Sequence, residues 1–274
     1  MSGREQMEPY WDLVEDINVN GTRCVIDACI RNQVRGLVYT STYNVVFGGQ
    51  TIINGDESLP YFPMHRHCDN YSKTKSMAEQ LVLANSGKGN FRSVALRLNG
   101  IFGPGEMRHI PRIINNIKSG LVSFFYFKDE YGSITDFISI ENVVQGHVKA
   151  ALKLCKPDSI IGGNAYFLSN GEPINTVDFL QPLIKYYRKS PPRVQVPMWL
   201  MSLIVAFIEF IYKLIYKFVD FQPLLTRAEF YKSSITHYCS IEKARRDFDY
   251  NPTRANDISD ILKYISKSEN MKDT

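Results

Sequence analysis

Three short apolar runs, at 36–40, 93–98 and 165–169, alternate with segments of helical period. That alternation restricts the chain to one kind of architecture. Runs of this length, rich in Val, Leu, Tyr and Phe, read as buried strands. Strands joined through helices lie parallel, and the helices then cover both faces of the sheet. The predicted helices are 10–32, with Leu13, Ile17, Val25 and Cys29 inward; a helix capped by Asp69 that carries Tyr71, Lys75 and Ala78; 141–154; and 176–189. The last is capped by Asn175 or Thr176 and stopped by Ser190-Pro191-Pro192. A second region begins with 109–119 and includes a strand at 124–127.

Composition removes several functional classes. The chain has 274 residues, 44% hydrophobic and 22% charged, which is ample for a core. A net charge of +4 without any Lys/Arg run excludes a nucleic-acid surface. The five cysteines are odd in number and scattered, without a Cys-x-x-Cys pair. They imply reduced thiols facing cytosol, and neither a disulfide frame nor a zinc site. His65 and His67 have no third ligand at suitable spacing, so no metal is expected. Residues 1–10 are polar and carry no secretory signal. Without one, Asn20-Gly-Thr22 and Asn70-Tyr-Ser72 are coincidental matches to a glycosylation pattern.

The chemistry-bearing feature is Tyr71-Ser-Lys-Thr-Lys75. Four residues apart, the phenol and the ammonium share one helix face. A phenol titrates near pH 10, and a cation beside it favours the phenolate, so the pair can exchange a proton with an alcohol or ketone. The match gains meaning from Thr40-Ser41-Thr42, which ends the strand at 36–40, and from Asn44-Val-Val-Phe-Gly48 after it.

Together these segments resemble the active-site half of an extended short-chain dehydrogenase/reductase. Asn18-Val-Asn-Gly-Thr22, Arg97-Leu-Asn-Gly-Ile-Phe-Gly-Pro-Gly105, and Asp136-Phe-Ile-Ser-Ile-Glu-Asn142 with Gly146-His147 fit the same family in order and spacing. The likeness is strongest to the 3β-hydroxysteroid dehydrogenase/isomerase branch and its family 42E members. It implies an α/β fold with a partial doubly wound, Rossmann-like parallel sheet lacking its first strands, and a smaller C-terminal substrate-binding region. It divides the chain into 1–107, the nucleotide-binding part with the catalytic motif, and 108–274, with returns to the sheet at 133–170.

The resemblance also assigns roles. Tyr71 exchanges the proton, and Lys75 lowers its pKa and holds the nicotinamide ribose. Thr42, with Ser41 as neighbouring candidate, donates to the substrate oxygen, and Asn18 supports the lysine through a water. Asn99 and Ile101 follow the strand where the family's backbone meets the nicotinamide amide, although Leu98 stands where the family has proline. The cofactor is NAD or NADP, and the implied reaction oxidises a CH–OH group of an apolar, sterol-like substrate in steroid metabolism. A homodimer is among the partners this reading allows.

Two departures qualify it. The family opens with a strand, a Gly-x-x-Gly-x-x-Gly turn and a helix that hold the pyrophosphate. Residues 1–35 hold only Gly3 and Gly21, so the cofactor half is expected to be largely missing and the chain to be turnover-incompetent by itself. Separately, 198–208 is uncharged, and Glu209, Lys213 and Lys217 then recur every four residues. The apolar helix at 197–221 is short for a span and reads either as a core helix or as an amphipathic one at a headgroup layer. The family likeness favours the second, with an endoplasmic-reticulum membrane facing the cytosol as the location and cytoplasm as the alternative. Two other readings are a nucleotide-sugar epimerase or dehydratase using Arg108 and Arg112, and a non-catalytic truncated product.

Overall fold

The computed structural model describes residues 10–107, 109–120, 125–126, 128–187, 189–192, 194–216, 218 and 225–270. Arg108 and Lys217, named above, lie outside these residues, as do parts of the segments 124–127 and 197–221.

In chain order, α1 (Trp11–Glu15) runs through a π-helical turn (Asp16–Asn20) into α2 (Gly21–Arg31), followed by β1 (Gly36–Thr42) and β2 (Ile52–Gly55). Next come α3 (Asn70–Ala84), β3 (Arg92–Leu98), β4 (Gly100–Phe102), α4 (His109–Lys118) and β5 (Phe125–Tyr126). The short strands β6 (Ile134–Thr135) and β7 (Phe137–Ser139) lead into α5 (Ile140–Leu154), β8 (Ala165–Leu168), β9 (Ile174–Asn175) and α6 (Thr176–Tyr186). The chain continues with β10 (Val194–Gln195), α7 (Met198–Ile215), α8 (Arg227–Ser234), β11 (His237–Cys239), α9 (Glu242–Phe248) and α10 (Ser259–Asn270).

The three expected strands form one parallel sheet in the order β1-β3-β8. Gly36 pairs with Arg92 and Thr42 with Leu98, while Ala95 pairs with Ala165 and Leu98 with Leu168. Leu98, in place of the family's proline, thus completes the register on both sides. Side chains alternate across the sheet. Val94, Leu96, Leu98, Tyr166 and Leu168 pack with Ala150 and Leu154 of α5 on one face. On the other, Leu37 and Tyr39 pack with Ile26, Val82 and Phe91 beneath α2 and α3. Each buried side chain of this size contributes about 1.5–3 kcal/mol, so this layering dominates the fold. Gly146 lets α5 lie close: a Cβ there would sit 2.5 Å from Leu168 Cδ1.

β1 ends the sheet, and among the described residues no strand pairs with its outer side. Beside that edge, α5 exposes Ile140, Val144, Val148 and Leu152 at four-residue spacing, and the first helices expose Leu13, Ile17 and Val25. The expected inward face of 10–32 is therefore corrected at Leu13, Ile17 and Val25: Val14, Val19 and Ile26 are buried instead, while Cys29 packs inward against Ile26 as expected. Both faces of this helix are apolar, and its π turn rotates the residues that follow, so periodicity alone picked the face toward the open edge.

The remaining elements build a second region. β2-β11-β6-β9 form a mixed sheet, and β4 pairs with β7. α4, α6 and α10 share a cluster that includes Ile114, Phe179, Leu183 and Ile261. Asn175 caps α6 by accepting from the backbone N–H of Val177 and Asp178, and the helix stops at Tyr186, before the expected 189. Asn142 fastens the C-terminal segment: its Nδ2 donates to Asn170 Oδ1 and to the Arg254 carbonyl, and its Oδ1 accepts from Thr253 N. The motif at 136–142 thus latches the two regions together.

Candidate active site

The site lies at the carboxyl ends of β1 and β3, where open α/β sheets bind their ligands. Asp69 starts α3 there. Its Oδ1 accepts from Ser72 N at 2.5 Å, as expected of the cap, and its Oδ2 lies 3.4 Å from Lys232 Nζ. From that end α3 projects Tyr71, Lys75 and Glu79 at successive turns.

Lys75 is half-buried. Its Nζ donates to the Thr40 carbonyl at 2.5 Å and sits 4.1 Å from the centre of the Tyr39 ring. Burial disfavours the ammonium and lowers its pKa to about 8, although Glu79 opposes the shift. The Tyr71 side chain is within electrostatic reach of Tyr39 and Tyr43, which places it on the same side as the lysine. The Thr40 hydroxyl meets His147 Nε2 at 2.8 Å, and His147 Nδ1 meets the Val143 carbonyl at 2.8 Å. A carbonyl can only accept, so Nδ1 carries the proton and Nε2 accepts from Thr40.

The two strand-end hydroxyls divide their tasks. Ser41 donates to Glu79 and is spent. Buried Thr42 accepts from Asn44 Nδ2 at 3.0 Å and Asn44 N at 3.3 Å, which leaves its hydroxyl proton as the donor. That is the role a carbonyl or alcohol oxygen requires.

Sequence reasoning missed what lies behind these groups. Glu79 is fully buried, and its Oε1 accepts from Arg97 Nε at 3.0 Å, Arg97 Nη2 at 2.8 Å and the Tyr61 hydroxyl at 2.8 Å. Arg97 also lies between the Tyr61 and Phe167 rings, 5.3 and 5.2 Å from their centres. Burial disfavours its charge, and Glu79 with Tyr61 more than restores it. The available signal was the extension of the four-residue spacing from Lys75 to Glu79.

Asn18 falls in the π turn, and its Nδ2 donates to Thr74 Oγ1 at 2.9 Å, so it braces α3 beside Lys75. Asn99 is buried. Its Nδ2 donates to the Asp136 carbonyl at 3.1 Å, and its Oδ1 has no partner among the described residues. Ile101 is 44% exposed on β4. Arg112 pairs with Glu229. No cluster of three metal-ligating side chains occurs among the described residues.

These residues fit the nicotinamide end of a dinucleotide. An orphaned acceptor on Asn99 suits an amide donor, and Lys75 can turn from a backbone carbonyl to a ribose hydroxyl. No glycine-rich strand-to-helix turn that would cradle a pyrophosphate occurs beside β1 among the described residues.

A sequence model of the 3-beta hydroxysteroid dehydrogenase/isomerase family matches residues 5–198. The chain is 42% identical over 272 residues to short-chain dehydrogenase/reductase family 42E member 1 of Danio rerio, covering 97% of this chain and 69% of that protein. It is 34% identical over 242 residues to the decarboxylating sterol-4-alpha-carboxylate 3-dehydrogenase of Mus musculus, covering 88% and 66%. Among solved structures, UDP-glucuronic acid 4-epimerase from Bacillus cereus in complex with NAD superposes with a TM-score of 0.61 at 20% identity, covering 92% of this chain and 67% of that one. The chain thus spans about two thirds of the length of these proteins. With a matched sequence model, a parallel α/β sheet and the Tyr71–Lys75 pair at its carboxyl edge, this chain belongs to the 3-beta hydroxysteroid dehydrogenase/isomerase family.

Proposed function

We propose that this chain carries the proton-transfer machinery of an NAD(P)-dependent oxidoreductase acting on the CH–OH group of an apolar, sterol-like substrate, with 3β-hydroxysteroid dehydrogenase-like activity. One observation carries the reading: Lys75 is buried enough to bring its pKa to about 8, on the turn after Tyr71, at the carboxyl end of β1. Thr42 donates to the substrate oxygen, and Tyr71, as phenolate, takes the hydroxyl proton. Lys75 stabilises that phenolate, and Asn18 braces its helix through Thr74. A bound nicotinamide would supply the hydride acceptor for the carbon that bears this hydroxyl. Asn99 Oδ1 is the acceptor offered to its amide, and Ile101 is the apolar contact next to it.

The sterol class is supported by the likeness to the mouse sterol-4-alpha-carboxylate 3-dehydrogenase. The exposed apolar helix α7 supports association with a membrane, which we assign to the endoplasmic reticulum on its cytosolic side. The nucleotide-sugar reading shares the fold likeness, but Arg112, one of its two arginines, is engaged by Glu229.

The test is turnover by a fusion that places a glycine-rich βαβ dinucleotide-binding unit ahead of residue 10. It is expected to oxidise a 3β-hydroxysteroid, read by nicotinamide absorbance, and Tyr71→Phe is expected to lose at least about 10²-fold. Rates within a factor of a few of the parent in Tyr71→Phe would remove Tyr71 from the mechanism. Turnover of a nucleotide-sugar in place of the steroid would move the assignment to the epimerases.

A further inference from the structure

Asp69 carries more than a helix cap needs. Its side chain is only 6% exposed, whereas a cap facing water does its work without a counterion. Oδ1 accepts from Ser72 N, and Oδ2 lies 3.4 Å from Nζ of Lys232, which comes from α8 in the second region. Burial pushes the Asp69 carboxyl up, and Lys232 with the Ser72 donors more than reverses that. A lysine in the last turn of a helix often only complements the helix dipole, and an exposed ion pair adds little. Here the acid is sealed from water, so its charge depends on this cation.

The helix that supplies Lys232 is itself held from several sides. A capping box between Thr226 and Glu229 closes its N-terminus. Arg227 holds Glu209 of α7, and Glu229 holds Arg112 of α4. Tyr231 presses on the loop that follows β1: a Cβ on Gly49, whose φ is +107°, would sit 2.4 Å from Tyr231 Cδ2. Adjacent residues of α8 therefore meet the loop beyond Thr42 and the first turn of α3. A water-sized cavity lies at that seam, walled by Phe47, His67, Asp69 and Ser72 on one side and by Tyr231 and Lys232 on the other.

Tyr71 stands two residues beyond Asp69, and Tyr43 is within electrostatic reach of both. Around the phenol, β1 contributes Tyr39, and α3 contributes Lys75 and Glu79. Lys73 of the same helix is turned to the Trp11 ring, and burial keeps His67 neutral. An unbalanced carboxylate at position 69 would oppose the phenolate that Lys75 favours. We propose that Lys232 is a positioning residue of the site: it holds Asp69, and with it the turn of α3 that bears Tyr71, against the second region, and it cancels a carboxylate charge beside the phenol. This rests on the proton-exchanging role proposed for Tyr71 and adds the residue that sets it.

The experiment titrates the full chain, labelled with carbon-13 at tyrosine Cζ, by NMR from neutral pH to about pH 11. Tyr71→Phe identifies the Tyr71 signal. Lys232→Met is expected to move its midpoint about 0.5–1 unit alkaline, with Tyr186 on α6 unmoved. Lys232→Arg is expected to keep the parent midpoint, and Asp69→Asn added to Lys232→Met is expected to bring it back. In the fusion carrying a dinucleotide-binding unit, the acid limb of kcat is expected to move by the same amount, lowering turnover about three- to tenfold below it. The cofactor KM is expected to stay unchanged. Should Lys232→Met melt early, Lys232→Gln, which keeps a donor for Asp69 without the charge, is read in its place with the same expected shift. An unmoved midpoint in a folded neutral variant, or an equal shift in Lys232→Arg, would overturn the proposal. So would a Tyr71 phenol that stays protonated across the whole range in the parent. The titration needs neither cofactor nor turnover. An expected shift in a chain whose fusion is inactive therefore counts against the enzymatic reading alone, and an unmoved midpoint beside an active fusion counts against Lys232 alone.

Discussion

Glu79 holds Nε and Nη2 of Arg97 on a single carboxylate oxygen, at 3.0 and 2.8 Å, one turn below Lys75 and sealed from solvent. The pair ties α3 to β3, and Ser41 adds β1 through the other oxygen. It therefore fixes the position of α3 relative to the strand ends on which Thr42 and Asn99 stand.

Breaking this pair from one side should cost far more than removing it whole. Glu79→Gln or Arg97→Met leaves an uncompensated buried partner and is expected to destabilise by about 3–5 kcal/mol. The double variant is expected to recover part of that loss. Chemical denaturation of all four proteins gives the coupling, and additive single effects would contradict the arrangement.

Lys75 predicts a pH dependence with a definite sign. Its folded pKa is depressed to about 8 from 10.5 by burial. Between those values the unfolded chain binds more protons than the folded one, so this group makes stability rise with pH across that window, by at most about 1.4 kcal/mol per unit. Below pH 8 both states are protonated and the full cost of burying the charge is present. Lys75→Met should abolish the rise. The difference between parent and variant melting temperatures from pH 7.5 to 10 is the measurement, and parallel curves would show an ordinary lysine.

The division between Ser41 and Thr42 is testable by kinetics in the cofactor-competent fusion. Thr42→Val is expected to lose about 10²-fold in kcat, and Thr42→Ser to keep most of it. Ser41→Ala is expected to leave kcat nearly unchanged and lower stability by about 1 kcal/mol. A reversed pattern would assign the donor to Ser41.

The stripe on α5 should govern solubility. Val144 and Leu152 are 55% and 66% exposed beside the outer edge of β1, and an unpaired strand flanked by apolar surface is an aggregation hazard. Val144→Lys with Leu152→Glu is expected to suppress light scattering at fixed concentration with little change in melt. The unmodified chain is also expected to bind NAD(H) or NADP(H) far more weakly than the fusion, by titration of nicotinamide fluorescence. Micromolar binding by the unmodified chain would mean that a different part of the fold supplies the pyrophosphate site.

Much of the architecture was readable from local rules. The strands at 36–40, 93–98 and 165–169 were found within two residues, because buried parallel strands are short and continuously apolar. Asp69 was found as a cap, and Asn175 as one of two candidates, because their oxygens sit just ahead of a helical period. The face of the first helices was not readable, since it depends on which of two apolar sides has a neighbour. Among the site residues, Tyr71 and Lys75 were visible in spacing. The preference for Thr42 over Ser41 rested on the family likeness, and the structure adds a reason in Glu79 taking Ser41; the buried Glu79–Arg97 pair joins residues 18 positions apart that no local pattern connects.

Thr40 offers its carbonyl to Lys75 and its hydroxyl to His147. Lys75 belongs to the helix layer on one side of the sheet and His147 to the layer on the other, so a single residue is read from both sides at once. The imidazole is therefore a built-in reporter: its nitrogen resonances should shift when a ribose draws the lysine away from Thr40, although nothing bound at the site touches the histidine.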